Sequence, residues 1–360
     1  MKKLLLLFAF ALSQIAFAQQ KPKYNIIAYY TGNSERLQQY PLDKLTHLIY
    51  SFVKLRNDTL MLRDAKQEQN VLQIVALKKK YPQLKIMVSM GGWSGCAPCS
   101  DLFAAANHRK IFAKTTVALL KKYNLDGLDL DWEYPAIEGF PGHKFQKADR
   151  DNFTELVKVL RAEMGTRYLL TFAAGGFVKY LEESVDWPKV HPLVDFINLM
   201  TYDLVGGYAT VTGHHTPLYG YRKDQESTDK CVNWLLKHKI PANKLITGAA
   251  IYGRVWEKVA PINNGLYQSG VFKQGVSFKD FNKYFSDTAG FQYFWDEKAK
   301  APYQYNPAKQ LFATFDNEKS IAAKANYVKQ KKLGGIMFWE LIDDKSKDGL
   351  VEEMWKVLGK

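Results

Sequence analysis

Residues 126–135 read Asp-Gly-Leu-Asp-Leu-Asp-Trp-Glu-Tyr-Pro. From position 128 to 133 apolar residues and acids alternate: Leu128, Leu130 and Trp132 against Asp129, Asp131 and Glu133. A strand sends successive side chains to opposite faces, so the three carboxylates share one face. Charges in such a row repel, and burial penalises their ionised forms, so at least one acid keeps its proton to unusually high pH. A proton donor beside a standing negative charge is what general acid–base catalysis needs. Two other uses of the row stay open. A solvated edge strand is one, although Leu125, Leu128, Leu130 and Trp132 call for burial. A divalent cation is the other, since carboxylate oxygens suit Mg²⁺ or Ca²⁺.

A row like this has to be positioned by its neighbours. Strand-like runs fall at residues 25–30, 46–52, 85–90, 127–133, 169–174, 196–202, 245–252 and 335–340. Amphipathic helical segments lie between most of them, at 69–80, 107–122, 151–164, 227–238 and 320–331. Eight strands with intervening helices predict an α/β fold, a (β/α)8 TIM barrel. One connection is anomalous. Residues 257–315 are rich in aromatics and turn formers, and a connection that long in a compact fold should have structure of its own. They are expected to form a small α+β insertion between strand seven and the last barrel helix. Residues 19–256 and 316–360 then make the barrel.

In such a barrel the C-terminal strand ends form the active site. Glu133 ends the fourth expected strand before the strand-breaking Pro135. It therefore lies nearest a substrate and is the expected general acid, with Asp131 and then Asp129 deeper in the lumen. Met200, Tyr202 and Asp203 close strand six and offer hydrogen-bonding groups to the same rim. Trp339 closes strand eight, and an indole there makes a flat apolar floor of the kind that holds a sugar ring. Trp93 and Tyr134 are further candidates for substrate contact. Tyr29 or Tyr30, at the end of the first strand, is expected to line the pocket, and the sequence does not choose between them. Asp126 is off the catalytic face and is expected to hold the strand entry by hydrogen bonding.

Composition narrows the function classes. The chain has 360 residues, 47% of them hydrophobic, enough for a barrel-sized core. The net charge of +14 is spread over scattered lysines with no nucleic-acid motif, so a solvated basic surface is expected and nucleic acid is not a partner. Residues 1–18 have two lysines, an apolar run and small residues up to Ala18. This pattern is that of a secretory signal peptide, giving a secreted or periplasmic protein. No other segment is long and apolar enough to span a bilayer. Three cysteines occur. Cys96 and Cys99 could be a redox pair, half a zinc site or a local disulfide; export favours the disulfide. Cys231 reads as a buried free thiol.

The motifs resemble glycoside hydrolase family 18, the chitinase family. Asp126, Asp129, Asp131 and Glu133 occupy the four slots of its DxxDxDxE signature. Residues 89–92, Ser-Met-Gly-Gly, resemble its SxGG motif, which carries Ser89, Gly91 and Gly92 as structural residues. Met200, Tyr202 and Asp203 match its M-x-Y-D, and Trp339 its strand-eight tryptophan. Tyr252 and Arg254 resemble its strand-seven end, after which many members carry an inserted α+β domain. The resemblance implies hydrolysis of β-1,4 links between N-acetylglucosamine units in chitin or its oligomers, with retention and substrate assistance. It implies catalytic Glu133, Asp131, Asp129 and Tyr202, substrate contacts at Asp203, Tyr252 and Arg254, no metal or organic cofactor, and a monomer. Ser89 is expected to support Asp129. The rivals are an endo-β-N-acetylglucosaminidase acting on N-glycans, a non-catalytic lectin of the same fold, and a metal-dependent barrel hydrolase.

Overall fold

The computed structural model describes residues 23–359. The expected signal peptide at 1–18 lies outside them. Fourteen strands occur among the described residues: β1 Asn25–Tyr30, β2 His47–Arg56, β3 Thr59–Met61, β4 Lys85–Gly91, β5 Gly127–Asp131, β6 Leu169–Gly175 and β7 Phe196–Met200. They continue with β8 Leu245–Ala250, β9 Tyr252–Glu257, β10 Val271–Ser277, β11 Gln292–Asp296, β12 Ala301–Asn306, β13 Leu311–Thr314 and β14 Gly335–Trp339. Strands β1, β2, β4, β5, β6, β7, β8 and β14 pair in parallel, and β1 bonds both β2 and β14, which closes the barrel. β3 adds an antiparallel hairpin to β2, turned at Asn57 with φ +53°. The expected eight-stranded barrel is thus found.

The alternation in β5 does what its chemistry dictates. Leu128, Leu130 and Trp132 face outward and join the core between barrel and helices. The Trp132 ring packs on Phe103 and Phe153 at 5.7 and 6.2 Å, against helices Cys99–Ala104 and Asp149–Met164. Burying apolar side chains of this size stabilises by about 1.5–3 kcal/mol each. The odd positions face the lumen, whose apolar layer includes Ile27, Ile49, Met87, Ile246 and Met337. Helices start where capping residues allow. Asp64 accepts from the Gln67 N–H, Ser227 from the Lys230 N–H, and Asn317 with Ser320 forms a reciprocal capping box.

A second, antiparallel sheet runs β10-β9-β13-β12-β11. It has its own cluster around Trp256, Leu266, Tyr305 and Phe312, and Phe278, Phe281, Phe285 and Phe315 pack against the barrel-side core. Its first strand starts earlier than the sequence suggests. The sequence predicts strand seven through Tyr252, but the parallel register with β14 ends at Ala250, and Tyr252 pairs antiparallel with Ser277 of β10. Tyr252 opens β9, so this strand belongs to the second sheet. Strands four and six are also shorter than expected. They end at Asp131 and Met200, and Glu133 and Tyr202 stand just beyond them.

Candidate active site

Above the C-terminal strand ends lies a cleft of about 1130 Å³. Asp131, Glu133, Tyr134, Met200, Tyr202, Asp203, Tyr252, Arg254, Trp93 and Trp339 all line it, as do Gly91 and Gly92. Asp129, Ser89 and Asp126 do not.

Asp129 sits beneath the cleft with no accessible surface. Its Oδ2 accepts from Tyr29 Oη at 3.0 Å and Ser89 Oγ at 2.9 Å. Its Oδ1 accepts from Thr171 Oγ1 at 2.6 Å and Asn198 Nδ2 at 3.1 Å. Burial raises its pKa, and these four donors oppose that rise. Asp131 is also buried, but its Oδ1 has no hydrogen-bond partner among the described residues. Burial, then the charges of Glu133 and Asp129, push its carboxyl well up. Glu133 is half-buried and open to the cleft. Burial raises its carboxyl to about 8; the Tyr134 hydroxyl opposes this and the Asp203 charge adds to it.

The backbone around the row depends on two glycines. Gly91 and Gly92 have φ of +115° and +83°. A Cβ on Gly91 would lie 2.0 Å from the Asp131 carbonyl oxygen, and the Gly92 N–H donates to that same oxygen at 2.8 Å. A side chain on Gly91 would therefore displace Asp131. Cis peptide bonds follow Ser51, Glu133 and Trp339.

Trp339 forms the floor, stacked on Phe52 at 5.7 Å and tilted against Tyr29 at 5.8 Å. Tyr202 lies beside it, its hydroxyl 3.9 Å from Met337 Sδ and its ring edge-on to Tyr252. Asp203, at φ +53°, anchors a charged cluster. Arg254 grips it with a fork, Nε to Oδ1 at 2.7 Å and Nη2 to Oδ2 at 2.6 Å, and Tyr252 donates to Oδ2 at 2.8 Å. Burial works to raise the Asp203 pKa, but His215 and Arg254 hold it well below the usual carboxylate range. On the opposite flank Trp93 packs on Tyr134 at 6.2 Å and Phe140 at 5.9 Å.

Asp126 serves the strand entry. It accepts from the Ile86 N–H at 2.7 Å and pairs with Lys78 at 2.5 Å. Cys96 and Cys99 are joined by a disulfide just past Gly95, which lines the cleft, and Cys231 is a buried free cysteine. Tyr29, not Tyr30, reaches the site; the Tyr30 hydroxyl donates to the Asn33 carbonyl.

Several residues here escaped sequence reasoning. Thr171 and Asn198 are polar residues at lumen positions of apolar strands, a signal that alternation could have exposed. Tyr208, 71% exposed and 6.3 Å from Trp93 across the cleft, lies in a loop with no periodicity to mark it. Phe52, Phe177, Phe272 and Asp343 also line the cleft. Among the described residues no group of three or more histidine, cysteine, aspartate or glutamate side chains is set to hold a metal ion.

A family model described as glycosyl hydrolases family 18 matches residues 25–344. The chain is similar to Chitinase A1 of Niallia circulans, 35% identical over 302 residues, which cover 77% of this chain and 43% of that one. It thus spans less than half the length of that relative. Chitotriosidase-1 of Mus musculus is 32% identical over 318 residues, 83% of this chain and 67% of the other. A solved glycoside hydrolase family 18 N-acetylglucosaminidase from Paenibacillus barengoltzii aligns with a TM-score of 0.85 at 35% identity, covering 93% of this chain and 100% of that one.

Proposed function

The chain belongs to glycosyl hydrolase family 18, and on that footing we propose that it is a chitinase, cutting β-1,4 links between N-acetylglucosamine units in chitin or chito-oligosaccharides. The observation that carries this is the state of Glu133. It stands at the open end of the acid row and faces a cleft lined by the Trp339 indole, where burial raises its carboxyl to about 8, as a proton donor requires.

In this mechanism Glu133 gives its proton to the glycosidic oxygen, and the bond from that oxygen to the anomeric carbon breaks. The carbonyl oxygen of the sugar's own N-acetyl group forms the new bond to that carbon, giving an oxazolinium ion. Asp131 accepts from the acetamido N–H and offsets the developing positive charge. A proton shared in the Asp129–Asp131 pair tunes that acceptance; both carboxyls are pushed up by burial, which favours one proton between them. Tyr202 donates to the acetamido oxygen, Asp203 stands beside it, and Trp339 floors the reacting sugar. Water then attacks the anomeric carbon as Glu133 takes its proton, the bond from the acetamido oxygen to that carbon breaks to restore the N-acetyl group, and the product retains its configuration. Trp93 continues the aromatic surface along the cleft.

Export through residues 1–18 fits a disulfide at Cys96–Cys99, because such bonds persist in oxidising compartments. The test is a product time course on N-acetylglucosamine oligomers of defined length, beside the same oligomers fully deacetylated. Cleavage is expected only where an acetamido group occupies the reacting sugar, with inhibition by a stable thiazoline mimic of the oxazolinium. Equal hydrolysis of the deacetylated chains would overturn substrate assistance. Activity lost to a chelator and restored by a metal would point to a metal site instead.

A further inference from the structure

Lys324 is a lysine that none of these steps uses. It stands in the helix Glu318–Lys331, and its side chain and that of Asp316 have no accessible surface. Its Nζ donates to Asp316 Oδ2 and to Thr216 Oγ1, each at 2.5 Å. Asp316 Oδ1 accepts from Ser320 Oγ at 2.6 Å, and its Oδ2 accepts from the Ala250 N–H at 3.1 Å. The Thr216 hydroxyl in turn donates to the Thr201 carbonyl at 3.1 Å.

This knot joins two strand ends that carry cleft residues. Thr201 directly precedes Tyr202 and Asp203. Ala250 lies two residues before Tyr252 and four before Arg254. Thr201 also clasps β8, its Oγ1 lying 3.1 Å from both the N–H and the carbonyl oxygen of Gly248. The Tyr202 ring lies so close to Gly248 that a Cβ there would come within 3.0 Å of it. Taking an ion pair out of water is costly, and well-packed apolar residues in its place are often as stable. Stability alone is therefore a poor reason for a buried charge pair at this point.

We propose that Lys324 is a positioning residue: acting through Asp316 and Thr216, its ammonium sets the ends of β7 and β8 against each other and so aims Tyr202 at the substrate. The role in turnover rests on the hydrolase function proposed above. A misaimed Tyr202 would weaken contacts made as charge builds on the acetamido group, more than it would weaken binding of the resting substrate. The loss should therefore fall on kcat rather than KM.

The full chain is compared with Thr216→Val and with the double variant Lys324→Met/Asp316→Asn, which removes both charges together. For each, kcat and KM on N-acetylglucosamine oligomers, the melting temperature, and amide hydrogen exchange at residues 201–203 and 250–254 are measured. Thr216→Val should lower kcat about tenfold, the worth of one hydrogen bond, with KM within about twofold and little change in melting. Its amides at 201–203 should exchange faster. The double variant should keep its melting temperature but not its kcat. Wild-type kcat together with wild-type exchange in Thr216→Val overturns the proposal, and that variant decides alone if the double variant does not fold. A wild type that cleaves no oligomer refutes the hydrolase function instead, and exchange at 201–203 then still tests whether Lys324 orders this strand end.

Discussion

The Tyr29 hydroxyl donates to Asp129 Oδ2 at 3.0 Å, joining residues one hundred positions apart in the chain. It also lies 3.2 Å from Asn198 Nδ2, which itself donates to Asp129 Oδ1. The deepest acid of the row is thus held by donors from four other barrel strands, β1, β4, β6 and β7.

Removing one donor tests their role. Tyr29→Phe should let the Asp129 pKa rise further, since Tyr29 is one of the groups opposing burial. A proton held more firmly on Asp129 is less available to the pair. We expect kcat to fall by roughly fivefold to tenfold, in line with about 1 kcal/mol for one hydrogen bond, with KM little altered. Unchanged kcat across the pH range would show that Asp129 does not need this donor.

Glu133→Gln keeps the shape of the side chain and removes its titrating proton. Turnover on unactivated oligomers should drop about 10²–10⁴-fold while oligomer binding, measured by calorimetry, persists. The wild-type rate should decline as pH rises through about 8, where the donor loses its proton. Stability carries a matching sign. Between the ordinary value of 4.5 and about 8 the folded protein holds a proton that the unfolded chain has released, so Glu133 erodes stability as pH rises across that window. Cleft water damps the effect. The gain in melting temperature from Glu133→Gln should still be larger at pH 8 than at pH 4.5, and an equal gain at both would count against a raised pKa.

Arg254→Lys exchanges a planar fork for a point charge. The bidentate grip on Asp203 is lost, and the Asp203 pKa, depressed by His215 and Arg254 against burial, should rise. A depressed carboxylate stabilises the fold at neutral pH and loses that contribution as pH falls through its folded pKa. Acid unfolding of the variant should therefore begin at higher pH than in the wild type. A pH titration followed by circular dichroism measures this, and coincident curves would refute it.

Cys96→Ser with Cys99→Ser should change melting by less than about 4 °C, because a cross-link between residues three apart hardly restricts the unfolded chain. Oligomer KM should rise, since Trp93 and Gly95, which precede this bond, line the cleft. In the wild type only Cys231 should react with a thiol reagent, and only after unfolding, because it is buried. A large melting change with an unaltered KM would make the disulfide a stability element instead.

Much of this protein can be read from its residues one element at a time. Alternation at 128–133 tells that three acids share a face, because the two-residue period of a strand is local. The same local periodicity, repeated eight times between amphipathic helices, predicts the barrel, and the strand-breaking Pro135 leaves Glu133 at the rim. What stayed out of reach depends on partners far away in the chain. Ser89 is already expected beside Asp129 from the motif that carries it, but only closure of the barrel adds Tyr29, Thr171 and Asn198 and so chooses Tyr29 over its neighbour Tyr30. Only antiparallel pairing with Ser277, twenty-five residues later, draws Tyr252 out of the barrel and into the second sheet. Tyr208 lies opposite Trp93 because two loops from different strands meet over the cleft. Side-chain direction within a strand follows from backbone geometry alone. Which donors, charges and rings face one another is decided by register and packing between segments, and that information exists only once the chain has closed on itself.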